Sequence, residues 1–169
     1  MRVLVTGGVG FIGTNLIKRL LSDGHKVVSF DNYSTGYKEN EQDGCQYFTV
    51  DISKYVKDYS FFMDKIDVIF HMAALPRIKP SFENPTVTVN VNVQGTLNVL
   101  EFARNNNCSV IYAGSSSFHG GVYKNPYTFS KWQGEELCKM YEKIYGVDVS
   151  ICRFYNVYGE YMINDGEYR

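Results

Sequence analysis

The feature that most constrains this chain stands at its amino end. "VLVT" (3–6) is a short apolar run. It passes directly into "GGVGFIGTNL", which sets Gly7, Gly10 and Gly13 in a G-x-x-G-x-x-G array at the mouth of a helical stretch, 11–21. A strand, a glycine turn and a helix in that order form the context that a dinucleotide fingerprint requires. Gly7 permits the tight turn, Gly10 lets a pyrophosphate approach the main chain with no Cβ in the way, and Gly13 lets helix and strand pack closely. The helix start offers unpaired N–H groups and the positive end of its dipole to phosphate. The next apolar run, "KVVSF" (26–30), leads into "DNYSTG". Asp31 thus falls about 20 residues beyond the glycines, where a carboxylate can bond both hydroxyls of an adenosine ribose. It repels a 2′-phosphate, and neither Asn32 nor Tyr33 supplies an arginine to receive one, so the reading is NAD rather than NADP.

The same alternation continues along the chain. Further runs at 45–50, 67–71, 109–113 and 148–154 are short and apolar on both faces, as buried parallel strands are. A second helix is expected over 130–145, closed by Gly146. The segment 85–105 contains "TVTVNVNVQGT", whose period of two reads as a strand. A crossover helix is nevertheless needed between the runs at 67–71 and 109–113, so helix is expected there against local propensity. Six strands with helical crossovers make an α/β doubly wound parallel sheet of the Rossmann type, strand order 3-2-1-4-5-6. With 169 residues, one NAD-binding domain over 1–169 is the simplest organisation.

Bulk properties exclude several classes. A net charge of −1 without a basic stripe argues against nucleic acid, and no apolar run reaches membrane-spanning length. Cys45, Cys108, Cys138 and Cys152 are widely spaced, which suits reduced thiols in a cytoplasmic protein better than disulfides or zinc. His25, His71 and His119 share no spacing, so no metal site is expected and structural roles are.

"AGSSSFHGGVYKNPYTFSK" (113–131) carries three serines, then Tyr127 and Lys131 four residues apart. With 14 tyrosines in the chain, roughly one Tyr-x-x-x-Lys arises by chance, so the pair needs its context. The ordered motifs supply it: "TGGVGFIG", "DNYSTG", "VDIS", "HMAA", "NVQGTLNVLE", "SSS", "YTFSK" and "RFYNVYG". Together they resemble the extended short-chain dehydrogenase/reductase family, in its nucleotide-sugar epimerase/dehydratase group and nearest the UDP-glucose 4-epimerase branch.

The resemblance implies an NAD-dependent isomerase of carbohydrate metabolism, acting on a nucleotide sugar (a UDP-sugar first) by transient oxidation at the sugar C4. It places cofactor contacts at Gly7, Gly10, Phe11, Ile12 and Gly13, and at Asp31, Asn32, Ser34, Thr35 and Gly36. Asp51 and Ile52 border the adenine. Ala73, Ala74 and Leu75 line the cofactor groove, Asn92 sits near the active site, and Tyr155 lies by the nicotinamide. Ser115, Tyr127 and Lys131 match the catalytic residues, with Tyr127 and Lys131 also touching cofactor. Ser115, Ser116 and Asn156 face substrate. The chemistry wants these types, because a phenol with an ordinary pKa of about 10 is a weak base until a nearby cation favours its anion.

Departures from the family pattern bear on what the chain does. Only 12 steps separate Ser115 from Tyr127, where relatives carry a longer loop, and His119 stands where the family usually has tyrosine. Because this loop borders the sugar site, its shortening bears on substrate identity. Dehydratases of the group place Asp-Glu after the catalytic Thr, and decarboxylases a Glu at the second position. Here Ser116 and Ser117 stand there, which argues for epimerisation. Relatives continue well beyond the position of Arg169 into a substrate domain, so a non-catalytic NAD-binding module is the alternative from another class. Residues 1–169 are expected to bind NAD, with little grip on the sugar nucleotide. The resemblance also implies a homodimer through 85–105 and 128–145, with Trp132, Tyr141 and Tyr145 available for the outer face.

Overall fold

The computed structural model of the chain describes residues 1–54 and 65–162. The strands are β1 (Arg2–Thr6), β2 (Lys26–Asp31), β3 (Cys45–Thr49), β4 (Val68–His71), β5 (Ser109–Ser115) and β6 (Val149–Phe154). They form one parallel sheet in the order β3-β2-β1-β4-β5-β6, as the crossover pattern predicts. Parallel register brings every strand's carboxyl end to one edge: Thr6 pairs with His71 and Ser115 with Phe154. Consecutive side chains of β1 enter opposite layers. Val3 and Val5 pack with Ile17 and Leu20 of α1 (Phe11–Ser22). Leu4 packs on the other face with Ile69, Leu100, Val110 and Tyr112.

That second face is covered by α2 (Ile78–Glu83), α3 (Pro85–Val89), a π-helical stretch Asn90–Gln94, α4 (Gly95–Asn106) and α5 (Pro126–Tyr145). The chain from Pro85 to Asn106 is therefore helical despite its β-branched residues. Thr88, Asn92 and Thr96, spaced by four, are all but fully buried on one helical stripe. The Thr88 and Thr96 hydroxyls return to the carbonyls four residues earlier, Asn84 O and Asn92 O, while Asn92 reaches Leu75 and Thr96 meets His71, so helical back-bonds and tertiary partners together outweigh strand propensity.

Three details differ from the sequence expectations. α2 was not expected. α5 begins at Pro126 rather than 130, because Asn125 caps it through Thr128 N at 2.8 Å and Pro126 occupies its first turn. Tyr141 is not on the outer face: it is 3% exposed in the core, and its phenol donates to Glu101 at 2.5 Å. Tyr145 is exposed as expected, beneath the Arg104 guanidinium at 4.1 Å from the ring centroid. Among the described residues no helix is long and apolar enough to cross a membrane.

Candidate active site

The carboxyl edge of the sheet opens into a cleft of about 1990 Å³. One end is built by the glycine turn. Gly7 has φ +75, and a Cβ there would lie 2.8 Å from the main chain of Ala73. A Cβ on Gly13 would lie 2.1 Å from Gly7 O, so this glycine sets the approach of helix to turn. Gly10 differs: its φ is −76, and a Cβ would meet only Gly7 O, at 3.3 Å. Protein packing asks far less of position 10 than of 7 or 13, since one carbonyl would have to give by only a few tenths of an ångström. A glycine there leaves the first turn of α1 open to close approach of a ligand, and no side chain caps that helix. The turn thus fits a dinucleotide pyrophosphate. Gly13→Ala is expected to cost about 1–3 kcal/mol by urea unfolding, as overpacking does. Gly10→Ala should leave stability within about 0.5 kcal/mol, as at sites without such strain, yet weaken NAD binding by calorimetry.

Asp31 closes β2 beside this turn. Its Oδ2 accepts from Val9 N at 3.1 Å and its Oδ1 from Tyr33 N at 2.8 Å. Burial raises its pKa above the ordinary carboxylate value, and the bonds from Tyr33, Val9 and Asn32 pull it back. The carboxylate lines the cleft, so a 2′-phosphate there meets a like charge. NAD is expected to bind at least about tenfold tighter than NADP, the equivalent of 1.4 kcal/mol. Equal affinity by calorimetry would remove that role from Asp31.

Of the residues that the resemblance implicates, all but Asn92 line the cleft. Asn92 stands behind the wall, where its amide oxygen accepts from Leu75 N at 2.8 Å and its nitrogen donates to Leu75 O and to Ser130 Oγ at 2.9 Å. Its side chain fixes Leu75 in place.

At the other end, Tyr127 Oη donates to Ser115 Oγ at 3.3 Å. Ser115 ends β5 and caps the 3₁₀ turn Ser116–Gly120 that opens the shortened loop. Tyr127 is in the first turn of α5. Its N–H is received by Ser81 Oγ at 3.2 Å, and its carbonyl accepts from Ser130 Oγ at 2.8 Å. Sequence reading missed Ser81 and the role of Ser130, because lone serines on a helix carry no signal until their partners are known. Lys131 is 6% exposed, with Nζ 4.4 Å from the Tyr112 ring centroid. Burial lowers its pKa to about 8, so it remains largely protonated at neutral pH. His71 has the structural role expected of it. It bridges Thr6 and Thr96 at 2.8 and 3.0 Å, and burial lowers its pKa to about 3, keeping it neutral.

A glycine turn on an uncapped helix, an acidic residue at the end of the next strand and a Ser–Tyr–Lys cluster at the same edge define a dinucleotide-binding domain of the short-chain dehydrogenase type. Residues 3–169 match the NAD dependent epimerase/dehydratase family, and the chain belongs to that family. It is 35% identical to UDP-glucose 4-epimerase of Mycolicibacterium smegmatis, over 99% of this chain and 59% of that protein. The UDP-glucose 4-epimerase of Thermus thermophilus, solved with NAD, superposes with a TM-score of 0.82 at 33% identity, covering 94% of this chain and 56% of that one. DesIV, a dTDP-glucose 4,6-dehydratase from Streptomyces venezuelae solved with NAD bound, superposes at 0.84 with 27% identity, covering 95% of this chain and 57% of that one. The chain spans little more than half the length of these relatives. NAD is the cofactor of the family, and the turn, Asp31 and the cleft suit it.

Proposed function

We propose that residues 1–169 form the NAD-binding domain of a nucleotide-sugar 4-epimerase acting on a UDP-hexose. The Ser115–Tyr127–Lys131 cluster, followed by Ser116 and Ser117 in place of carboxylates, carries this reading. Gly10 and the first turn of α1 hold the pyrophosphate, Asp31 the adenosine ribose, and Ala73–Leu75 the groove wall. Bound NAD would supply a hydride acceptor for the sugar C4 and the donor that gives the hydride back to the opposite face of that carbon. Tyr127 takes the proton of the C4 hydroxyl, Ser115 shares that oxygen through its own hydroxyl, and the Lys131 cation favours the phenolate. Tyr155 and Asn156, just past β6, border nicotinamide and sugar. The kinship with DesIV motivates a second reading, a 4,6-dehydratase. It lacks a general acid, because 116 and 117 are serines. The proposal includes a cytoplasmic homodimer. The thiols are free, and Met140, Ile144 and Tyr145 leave an apolar strip exposed on α5. Light scattering at micromolar concentration tests the dimer.

The test of function is incubation of the full-length protein with NAD and UDP-galactose, with products read by NMR. UDP-glucose supports the proposal. A 4-keto-6-deoxy sugar would replace it with the dehydratase reading. NAD binding without turnover of any UDP-hexose would favour the non-catalytic module.

A further inference from the structure

Behind the cluster lies a buried carboxylate that the proposed reaction does not use. Glu135, 1% exposed, follows Lys131 by one turn of α5. Arg153 of β6 binds it in a fork, Nε at 3.1 Å from both oxygens and Nη2 at 2.7 Å from Oε2. Arg153 lies opposite Gly114 in the sheet, and Gly114 makes the room: a Cβ there would fall 2.8 Å from Glu135 Oε1. The guanidinium carbon lies 4.0 Å from the ring centroid of Phe118, within the 3₁₀ turn that Ser115 caps. Only the Glu135 side of this pair is buried, Arg153 keeping 31% of its side chain exposed, and such a pair is weak evidence for stability as such, because desolvation of the carboxylate offsets much of its attraction. Its placement between the buried lysine and the serine turn is what needs explaining.

We propose that Glu135 and Arg153 are positioning residues of the candidate site: Glu135 is the counter-charge of Lys131, and Arg153, clamped between Glu135 and Phe118, sets the turn that follows Ser115. This rests on the epimerase reading of Ser115, Tyr127 and Lys131. The groups facing Lys131 from the packed elements leave Glu135 as its anion. Tyr112 of β5 is pushed far above an ordinary phenol by burial, and His71 of β4 is neutral. On α5 itself, burial pushes the Cys138 thiol up to about 12, so the thiolate that could assist Lys131 is absent near pH 8. Tyr127, four residues earlier, meets Ser115. Burial pushes Lys131 down; Cys138, which counts only once ionised, and then Glu135 oppose that push.

The test is NMR titration of labelled lysine side chains in this chain, with the Lys131 signal identified by its loss in Lys131→Met. Removing the anion favours the neutral amine, so Glu135→Gln is expected to lower the Lys131 midpoint by about one unit or more. Arg153→Lys keeps the cation but loses the fork and the stacking. It should hold the midpoint near the parent's, while the amides of 117–120 exchange about tenfold faster, as a locally loosened segment does. The double variant Glu135→Gln/Arg153→Met removes both charges, guards against misfolding of the single variant, and should keep the midpoint below the parent's. An unshifted midpoint in Glu135→Gln, its return to the parent value in the double variant, or unchanged exchange in Arg153→Lys would overturn the proposal. NAD binding measured on the same samples separates the readings: a parent that fails to bind NAD refutes the functional assignment, while the titration still reads the pair.

Discussion

Tyr127→Phe in the full-length protein is expected to lower the turnover of UDP-galactose by about 10²–10⁴-fold, the usual contribution of a positioned acid–base group, with NAD affinity within about twofold. The phenol oxygen meets Ser115 Oγ at 3.3 Å on the cleft wall, and the rest of Tyr127 is held by contacts that phenylalanine keeps. Its N–H reaches Ser81, its carbonyl receives Ser130, and Asn125 caps the helix whatever the ring carries. The substitution therefore removes one hydroxyl and leaves α5 in place. Steady-state kinetics and calorimetry on the same preparation check it. Turnover within about threefold of the parent, a difference of less than 1 kcal/mol in barrier, would exclude Tyr127 as the proton acceptor.

Lys131→Met is expected to make the folded domain more stable while removing turnover. Lys131 is 6% exposed, and burial shifts its pKa from 10.5 to about 8. That shift corresponds to roughly 3 kcal/mol of destabilisation of the charged form in the folded state. The sign follows from the depressed value. Below pH 8 the lysine is charged in both folded and unfolded chains, and the full cost falls on the fold. As pH rises from 8 to 10.5 the folded state sheds the proton first, and the cost fades. A methionine of similar length carries no such cost, so urea unfolding should show a gain of about 2–3 kcal/mol at pH 7 that shrinks toward zero near pH 10.5. No gain at pH 7, or a gain independent of pH, would show that the ammonium is well solvated. A residue that destabilises its own fold in this way fits a site where stability is exchanged for function.

Sequence alone determined the architecture, because its signals are local or topological. The glycine array lies within seven residues, Gly7 to Gly13, and Gly10 and Gly13 answer to Gly7 a few residues away, while Gly7 itself answers to Ala73 on the neighbouring strand's exit. Short apolar runs separated by crossovers admit few sheets once handedness is imposed, which is why the order 3-2-1-4-5-6 could be read before any coordinate. The start of α5 was also written locally, in Asn125 and Pro126, though apolar periodicity pointed to 130.

Tertiary structure decided the rest. Asn92 and Thr96 lie on a segment of strand-like composition, and distant partners (Leu75 and Ser130 for Asn92, His71 for Thr96) make the helix the better place for them. Tyr141 could face solvent or core by helical period alone; Glu101, 40 residues away, accepts its hydroxyl inside. Glu135 and Arg153 look like two ordinary surface charges until the register of β6 on β5 brings them together across Gly114. Such choices depend on groups far apart in the chain whose hydrogen bonds and charges are satisfied only when the fold brings them together. No window of sequence contains both partners, so the fold was legible and the supports of its site were not.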